Sequence, residues 1–313
     1  MQLFHLKSTD IYFNLAVEEY LLKETNEDYF IIWQSENALV FGKHQNVFEE
    51  INLAFAQENN INIARRISGG GTVFHDLGNV NFSLIQNKTK GKQIDFDQDT
   101  KPIYEFLKSL NLDVKYSDRH DLFIDNKKIS GNAEHVFKNR VLHHGTILYS
   151  SDLNRLQKSL IVSKNKFSSK SIKSFSSSVT NINNFLNMDI KVFTKQFKDF
   201  ISNYFKIEKE TNIELLDIEK INNLSATKYK SNYWLFDYSP KFSFRNSFNN
   251  YILNLKVERG TIEDFKFSPD IENINKMFIK QKYYPETIRE LIISNNLGEK
   301  LNIDDNELLK NFF

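Results

Sequence analysis

The stretch from Arg65 to Asp76, Arg-Arg-Ile-Ser-Gly-Gly-Gly-Thr-Val-Phe-His-Asp, constrains this chain more than any other feature. Three consecutive glycines have no side chains to pack in a core, and glycine loses more backbone entropy on folding than any other residue. They are useful where the main chain takes a positive φ or lies very close to a ligand. With two arginines upstream, backbone N–H groups here can form an anion cradle. The alternative is a glycine-rich hairpin turn with solvated arginines.

Two polar residues end this stretch, and the sequence leaves the role of the first one open. His75 is either a general base or a hydrogen-bonded scaffold at the end of a strand. We expect Asp76 to brace the loop rather than to bind a metal ion.

Composition narrows the classes of function. The chain has 313 residues, which suits one large domain or two smaller ones. Its 41 basic and 40 acidic residues leave a net charge of +1, so no global field favours nucleic acid or a membrane surface. With no cysteine, disulfides, thiolate metal sites and thiol nucleophiles are excluded. We find no signal peptide and no apolar run of about 18 residues, and therefore expect a soluble, cytoplasmic protein.

Apolar periodicity predicts an α+β chain. Predicted helices cover 14–23 (capped by Asn14), 48–59, 102–110 (opened by Pro102), 192–205, 213–221, 271–281 and 285–295. Predicted strands cover 29–33 and 38–42, expected to be adjacent, and 61–67, 73–74, 80–85, 112–116, 121–124, 127–133, 140–149, 250–256 and 262–267. The Lys/Ser-rich stretch 163–178 is predicted to be a mobile loop.

A second informative stretch follows a predicted hairpin turn at residues 125–126. Its returning arm reads Lys127-Lys128-Ile129-Ser130-Gly131-Asn132-Ala133, and a strand containing His143-His144-Gly145-Thr146 comes next. On its own, Lys128 is either a surface charge on a hairpin or a catalytic lysine. The combination of this stretch with the glycine stretch bears on the choice between a surface charge and a catalytic lysine.

In combination, these motifs resemble those of the lipoate–protein ligase A family, and the resemblance covers nearly the whole chain. It is carried by six segments in order: 13–19 (Phe-Asn-Leu-Ala-Val-Glu-Glu), 64–79, 128–133, 143–146, 179–181 (Val-Thr-Asn) and 234–240. The resemblance implies an α+β catalytic domain of biotin/lipoate-ligase type at residues 1–239, with a mixed β-sheet flanked by helices. Residues 240–313 would form a small α+β accessory domain that repositions between the two half-reactions.

The resemblance also implies an activity and a site. Such ligases activate lipoate with ATP and Mg²⁺, release pyrophosphate, and transfer the lipoyl group from lipoyl-AMP to a lysine of an apo acceptor, either a dehydrogenase-complex lipoyl domain or a glycine-cleavage H protein. The residues implied to bind ATP or lipoyl-AMP are Arg66, Gly70, Gly71, Thr72, Val73, Phe74, Asp121 and Lys128. Lys128 would be catalytic, contacting the α-phosphate and the lipoyl carbonyl. Lys128, Gly70 and His144 would bind lipoate, and Asp121 would hold the Mg²⁺.

Several positions leave the details of lipoate and nucleotide binding open. Trp33, Val40 and Phe82 are either walls for the eight-carbon acid or ordinary core residues. Ser176 and Ser178 stand where many relatives have arginines, so closure of a nucleotide loop can differ here. Asn132 replaces a more usual serine and His120 a more usual asparagine.

Four competing functions are considered. An octanoyl or lipoyl transferase works through a cysteine thioester, which this chain cannot form. A biotin ligase shares the adenylate chemistry, but its glycine–arginine loop has a different sequence. A transferase that uses preformed lipoyl-AMP, or a non-catalytic lipoyl- or acceptor-binding paralogue, stays open. The acceptor, the preference between lipoate and octanoate, and the oligomeric state are not given by the sequence.

Overall fold

The computed structural model describes residues 1–89, 91, 93–160, 166–175, 177–270 and 273–313. Within them the strands are β1 (Gln2–His5), β2 (Tyr29–Trp33), β3 (Ala38–Phe41), β4 (Asn62–Arg65), β5 (Val73–His75), β6 (Asn79–Asn87), β7 (Lys115–Tyr116), β8 (Leu122–Ile124), β9 (Lys127–Phe137), β10 (Arg140–Leu148), β11 (Phe167–Ser169), β12 (Phe242–Phe248), β13 (Tyr251–Glu258) and β14 (Thr261–Ser268). The helices are α1 (Ile11–Glu24), α2 (Val47–Glu50), α3 (Leu53–Glu58), α4 (Phe96–Ser109), α5 (Leu153–Ser159), α6 (Ile190–Tyr204), α7 (Ile218–Leu224), α8 (Ile274–Phe278), α9 (Pro285–Ser294), α10 (Leu297–Leu301) and α11 (Asp305–Lys310).

A seven-stranded sheet forms the centre of the molecule, in the order β1-β2-β6-β10-β9-β8-β7. Strands β1 and β2 are parallel and the other neighbours are antiparallel, so the sheet is mixed, as predicted. A smaller sheet, β4-β3-β5, carries the two ends of the glycine stretch. The predicted strands 29–33 and 38–42 are both buried, but the expectation that they are adjacent is wrong: β2 belongs to the large sheet and β3 to the small one.

Helices cover both faces of the large sheet. Side chains alternate between the faces of a strand, and in β2 Phe30 packs in one apolar cluster with α4 and α6. Its neighbour Ile31 packs in another cluster with α1. The predicted α+β architecture, a mixed sheet flanked by helices, is therefore confirmed.

Among the helix predictions, three are wrong in ways that the structure explains, and side-chain caps account for two of them. Helix α1 starts at Ile11, because the Asp10 carboxylate accepts hydrogen bonds from the first-turn N–H groups. Asn14 lies inside that helix. Helix α4 starts at Phe96 because Asp95 caps it, which leaves Pro102 within the helix.

The third of these predictions treats 48–59 as a single helix. It is two short helices, α2 and α3, separated at Ile51, which forms an antiparallel bridge with Leu160. Asn52 then caps the second helix by accepting a hydrogen bond from the Phe55 N–H. The single apolar pattern across both helices hides this break.

The C-terminal part of the chain folds around a third sheet, β11-β12-β13-β14. The predicted strands 250–256 and 262–267 correspond to β13 and β14, whereas β12, α10 and α11 were not predicted. The first two residues of the predicted helix 271–281, residues 271 and 272, lie outside the described residues. Strand β11 comes from before the predicted boundary and pairs with β12. The division at residue 240 stays a prediction.

Arg65 ties the segment before that boundary to the small sheet. Its side chain is fully buried, and its guanidinium donates five hydrogen bonds of 2.7–2.9 Å to the oxygen atoms of Trp234, Leu235, Ser239, Lys43 and Gln45. This arginine therefore holds main chain together and does not belong to an anion cradle. None of the helices in the described ranges is long and apolar enough to cross a membrane.

Candidate active site

A cavity of about 340 Å³ lies between the glycine loop and the large sheet. Eight of the predicted site residues line it: Arg66, Gly70, Gly71, Thr72, Val73, Asp121, Lys128 and His144. Phe74 does not, because alternation along β5 turns its ring into an apolar core, where it is 3% exposed. Trp33 and Val40 also line the cavity, whereas Phe82 packs in the core against Phe30.

The glycine loop is shaped by close main-chain approaches. Gly70 has a φ of +86°, and a Cβ atom there would lie 3.0 Å from Nη2 of Arg66. A Cβ atom on Gly42, at the end of β3, would lie 2.2 Å from the Gly70 carbonyl oxygen. Both positions therefore need glycine: one for its backbone conformation, the other for space.

Arg66 holds this loop in place. Its Nε donates to Ser68 Oγ at 3.0 Å and its Nη1 to the Val40 carbonyl at 3.0 Å. Its Nη2 donates to the carbonyls of Gly69 at 2.6 Å and Gly71 at 2.7 Å. Burial lowers the pKa of Arg66 to about 10, which still leaves the guanidinium charged at neutral pH. It contributes a fixed positive charge beside the loop as well as a brace.

Lys128 and Asp121 form an ion pair at the cavity wall, with 2.8 Å between Nζ and Oδ2. The main chain of Lys128 is fixed as well, because its N–H donates to Ser178 and its carbonyl accepts from Thr180. A Cβ atom on Gly131 would lie 2.8 Å from Lys128 Nζ, so that glycine leaves room for the lysine side chain. Of the two predicted loop-closing positions, Ser178 makes this contact, and Ser176 lies outside the described residues.

A buried polar chain runs from His144 into the protein. Its Nε2 lies 2.6 Å from Ser68 Oγ, and its Nδ1 lies 3.0 Å from an oxygen of Glu18. Ser83 donates to the same carboxylate and accepts from the Trp33 indole N–H. Sequence reasoning missed Glu18 as a site residue, because a glutamate in a helix is usually solvated. Its place in an otherwise apolar face of α1 was the available signal.

Two further buried residues, His75 and Asn81, line the cavity. His75 is 3% exposed, and neither ring nitrogen has a hydrogen-bond partner among the described residues. Burial, with the charges of Arg66 and His144, lowers the pKa of His75 to about 3. No bond to a described residue supports the hydrogen-bonded scaffold interpretation of His75, and the role of this histidine stays a prediction. Asp76 accepts from the N–H groups of Gly78 and Asp152, so it braces the turn between β5 and β6 rather than the glycine loop.

The described part of the Lys/Ser-rich stretch lies over the glycine loop. Ser174 Oγ accepts from the Thr72 N–H at 2.9 Å and from Gln45 Nε2 at 3.0 Å. The next residue, Phe175, stacks under the Arg119 guanidinium at 3.5 Å from its ring centroid. The predicted mobility of this stretch stays a prediction.

Two of the four positions that depart from the family pattern, Asn132 and His120, contact one another. Asn132 Nδ2 donates to the main-chain carbonyl of His120 at 2.8 Å, and Asn132 lines the cavity. His120 itself has a φ of +60° and directly precedes Asp121. The pair therefore supports the turn that carries the Asp121 carboxylate to Lys128.

Among the described residues, three side chains could together hold a metal ion: Asp99, Glu134 and His143. They do not belong to the cavity. Lys88 pairs with Asp99 at 2.6 Å, and Glu134 bonds to His143 at 2.9 Å, so these charges already have partners. Asp121 is not one of them, and it offers a single carboxylate.

The arrangement suits chemistry on an anionic group. The Lys128 ammonium and the glycine loop with the Arg66 charge line the same cavity. Positive groups fixed in advance stabilise negative charge that grows on phosphate oxygens in a transition state. Leu15, Trp33 and Val40 add apolar surface to the lining, which suits a hydrocarbon chain.

The fold and the sequence of this chain are similar to those of known ligases. A solved structure of a lipoate–protein ligase A bound with ATP matches this chain with a TM-score of 0.64 at 23% identity, covering 74% of this chain and 97% of that one. The lipoyl protein ligase A/B catalytic domain family matches residues 10–206. A probable lipoate-protein ligase A of Mycoplasma genitalium is 37% identical over 90% of this chain and 88% of its own length. A lipoate-protein ligase of Bacillus subtilis is 34% identical over 91% of each chain. The chain belongs to the lipoate–protein ligase A family, and the resemblance of its motifs is confirmed.

Proposed function

We propose that this chain is an ATP-dependent ligase that converts lipoate to lipoyl-AMP with release of pyrophosphate, and then passes the lipoyl group to a lysine of an acceptor protein. Family membership supports the reaction class. The observation that carries the proposal within the molecule is Lys128, which lines one cavity together with the Arg66-braced glycine loop and the apolar side chains of Trp33 and Val40.

Lys128 would have the central role in forming the adenylate. A lipoate carboxylate and the α-phosphate that it attacks are both negative, so they repel one another. An ammonium group between them lowers this repulsion and stabilises the charge that develops on the phosphate oxygens. The ion pair with Asp121 and the space beside Gly131 keep the Lys128 ammonium at the lining of the cavity.

Asp121 is the residue that would hold Mg²⁺. Its Oδ2 bonds to Lys128, and its Oδ1 makes no hydrogen bond to the residues that the structure describes. Mg²⁺ in nucleotide sites usually takes only one or two carboxylates besides phosphates and water, so a single carboxylate fits this ion. Such an ion would screen the phosphate charge.

The acceptor would be an apo lipoyl domain of a dehydrogenase complex or a glycine-cleavage H protein, in the cytoplasm. A second candidate function, transfer from preformed lipoyl-AMP without adenylation, uses the same cavity. The two are separated by whether pyrophosphate is released when no acceptor is present.

The test is pyrophosphate release with ATP, Mg²⁺ and lipoate, for wild type, Lys128→Ala and Lys127→Ala. Removing one electrostatic group of this kind costs roughly 10²-fold in rate or more. We therefore expect lipoate-dependent release that falls by about that factor in Lys128→Ala. Lys127 is the neighbouring exposed lysine of β9, so Lys127→Ala controls for loss of charge on the hairpin and should keep the wild-type rate.

The other possible results of this experiment distinguish a transferase, a binding protein and a ligase that does not depend on Lys128. Wild type that releases no pyrophosphate but lipoylates an acceptor from supplied lipoyl-AMP is a transferase. Wild type that does neither is a binding protein. A fully active Lys128→Ala variant would contradict the role given to this lysine, although the ligase function would stand.

A further inference from the structure

Two buried polar side chains face the cavity without a partner. His75 is 3% exposed and Asn81 is 1% exposed, and both line the cavity. Neither nitrogen of His75, nor Nδ2 of Asn81, bonds to any residue that the structure describes. Asn79 Nδ2 donates to Asn81 Oδ1 at 2.8 Å, and Asn79 Oδ1 bonds to no residue that the structure describes. Asn81 therefore presents N–H groups as its unused atoms.

The lining that holds these polar groups also includes the apolar side chains of Leu15, Trp33 and Val40. A buried donor left unpaired is costly, so a fully hydrocarbon tail lying against the polar groups would be penalised. A neutral imidazole offers one N–H and one bare nitrogen, and the amide offers N–H groups. The Trp33 ring lies beside them, with its centroid 5.5 Å from that of His75 in an edge-on arrangement.

The position of Asn81 also fits the far end of a bound acid. Across the large sheet, Asn81 is opposite Thr146 on β10, and Thr146 is opposite Gly131 on β9. Gly131 is the residue beside Lys128 Nζ. Two strand spacings, about 10 Å, therefore separate Asn81 from the lysine end of the cavity. This distance suits an extended eight-carbon acid whose carboxylate lies at Lys128.

We propose that His75 and Asn81 select the dithiolane ring of lipoate over the methyl end of octanoate. The inference rests on the proposed function, since it places the lipoyl carboxylate at Lys128. A ring sulfur is a weak hydrogen-bond acceptor and a polarizable atom that packs well against aromatic rings. The ring can thus occupy the space beside these N–H groups and Trp33 better than a methyl group, which can accept no hydrogen bond.

The experiment compares the two acids on one enzyme. The ratio of kcat/KM for lipoate to kcat/KM for octanoate is measured by pyrophosphate release, and the Kd of each acid is measured without ATP. The variants are Asn81→Leu and His75→Phe, which keep size but remove the polar atoms, and Asn81→Ala, which adds no bulk. Val40→Ala is the matched control, because it removes an apolar wall contact shared by both acids.

We expect wild type to favour lipoate at least about tenfold, since a site with polar groups discriminates against a ligand that cannot satisfy them. In the polar-to-apolar variants the ratio should fall towards one, through weaker lipoate binding and tighter octanoate binding. Val40→Ala should weaken both acids by a similar factor and preserve the ratio.

Two results would overturn the inference while leaving the ligase function intact: equal use of both acids by wild type, or an unchanged ratio in the folded variants. Adenylation of neither acid would instead remove the proposed function, and this inference with it. Circular dichroism of each variant identifies those that fold.

Discussion

At the scale of single residues, His75 links the cavity to the stability of the protein. Burial and two nearby positive groups lower its pKa to about 3, from an ordinary value of 6.5. Near pH 6.5 the unfolded chain therefore binds a proton at His75, whereas the folded chain keeps this histidine neutral. The stability associated with neutral His75 is fully present above pH 6.5 and is lost as the pH falls from 6.5 towards 3.

This difference in pKa predicts how the free energy of unfolding changes with pH. As the pH falls from 6.5 to 5, the loss of unfolding free energy from His75 alone should steepen towards about 1.4 kcal/mol per pH unit. The measurement is urea denaturation of wild type and His75→Phe at several pH values, compared as differences from pH 7.5. The variant should lose less stability on acidification than wild type. Equal slopes for the two proteins would contradict a buried neutral histidine.

At the scale of elements, the segment 166–175 is fastened to the glycine loop mainly through one hydroxyl. Ser174 Oγ accepts from the Thr72 N–H and from Gln45, and Gln45 in turn accepts from the Gly42 N–H. The main-chain N–H of Ser174 adds a contact to Glu50 at 3.2 Å. The hydroxyl thus joins three segments that are far apart in sequence.

Removing that hydroxyl should loosen the segment while leaving the fold intact. A net hydrogen bond contributes about 1 kcal/mol, so in Ser174→Ala the Thr72 amide should exchange with solvent roughly fivefold faster. The measurement is hydrogen exchange followed by mass spectrometry over peptides that contain residues 71–75 and 166–175. Ser168→Ala, an exposed serine of β11, is the control and should exchange like wild type. Equal exchange in both variants would mean that other contacts hold the segment.

The same scale shows what the sequence can predict. The glycine triplet and the apolar strands are local signals, and they predict the glycine loop and most strands of the large sheet. The predicted site roles of Asp121, Lys128 and His144 come instead from the resemblance of the motifs. Helix α4 was placed too late because Pro102 is a stronger local signal than the cap at Asp95. The contacts of Glu18 with His144, and of Ser174 with Thr72, join residues more than 100 positions apart. No local pattern encodes such pairings, so these partners needed the structure.

At the scale of the whole molecule, the C-terminal part shares a core with the rest of the chain. The ring of Phe48, on α2, contacts four aromatic rings at centroid distances of 4.8–5.9 Å: Phe236, Phe242, Tyr283 and Phe313. Three of these rings lie beyond residue 239. Repositioning of a domain at 240–313, which stays a prediction, would have to uncover this apolar surface, and water disfavours that by about 25 cal/mol per Å².

A shared core predicts coupled unfolding. Truncating a buried phenylalanine usually costs about 3–5 kcal/mol, so Phe48→Ala should lower the stability of the chain on both sides of residue 240 together. Calorimetry should give one transition for wild type and one, at lower temperature, for the variant. Phe175→Ala is the control, because that ring is 73% exposed and its loss should change stability by less than about 0.5 kcal/mol. Two wild-type transitions, with Phe48→Ala moving only one of them, would show that the C-terminal part unfolds independently despite these contacts.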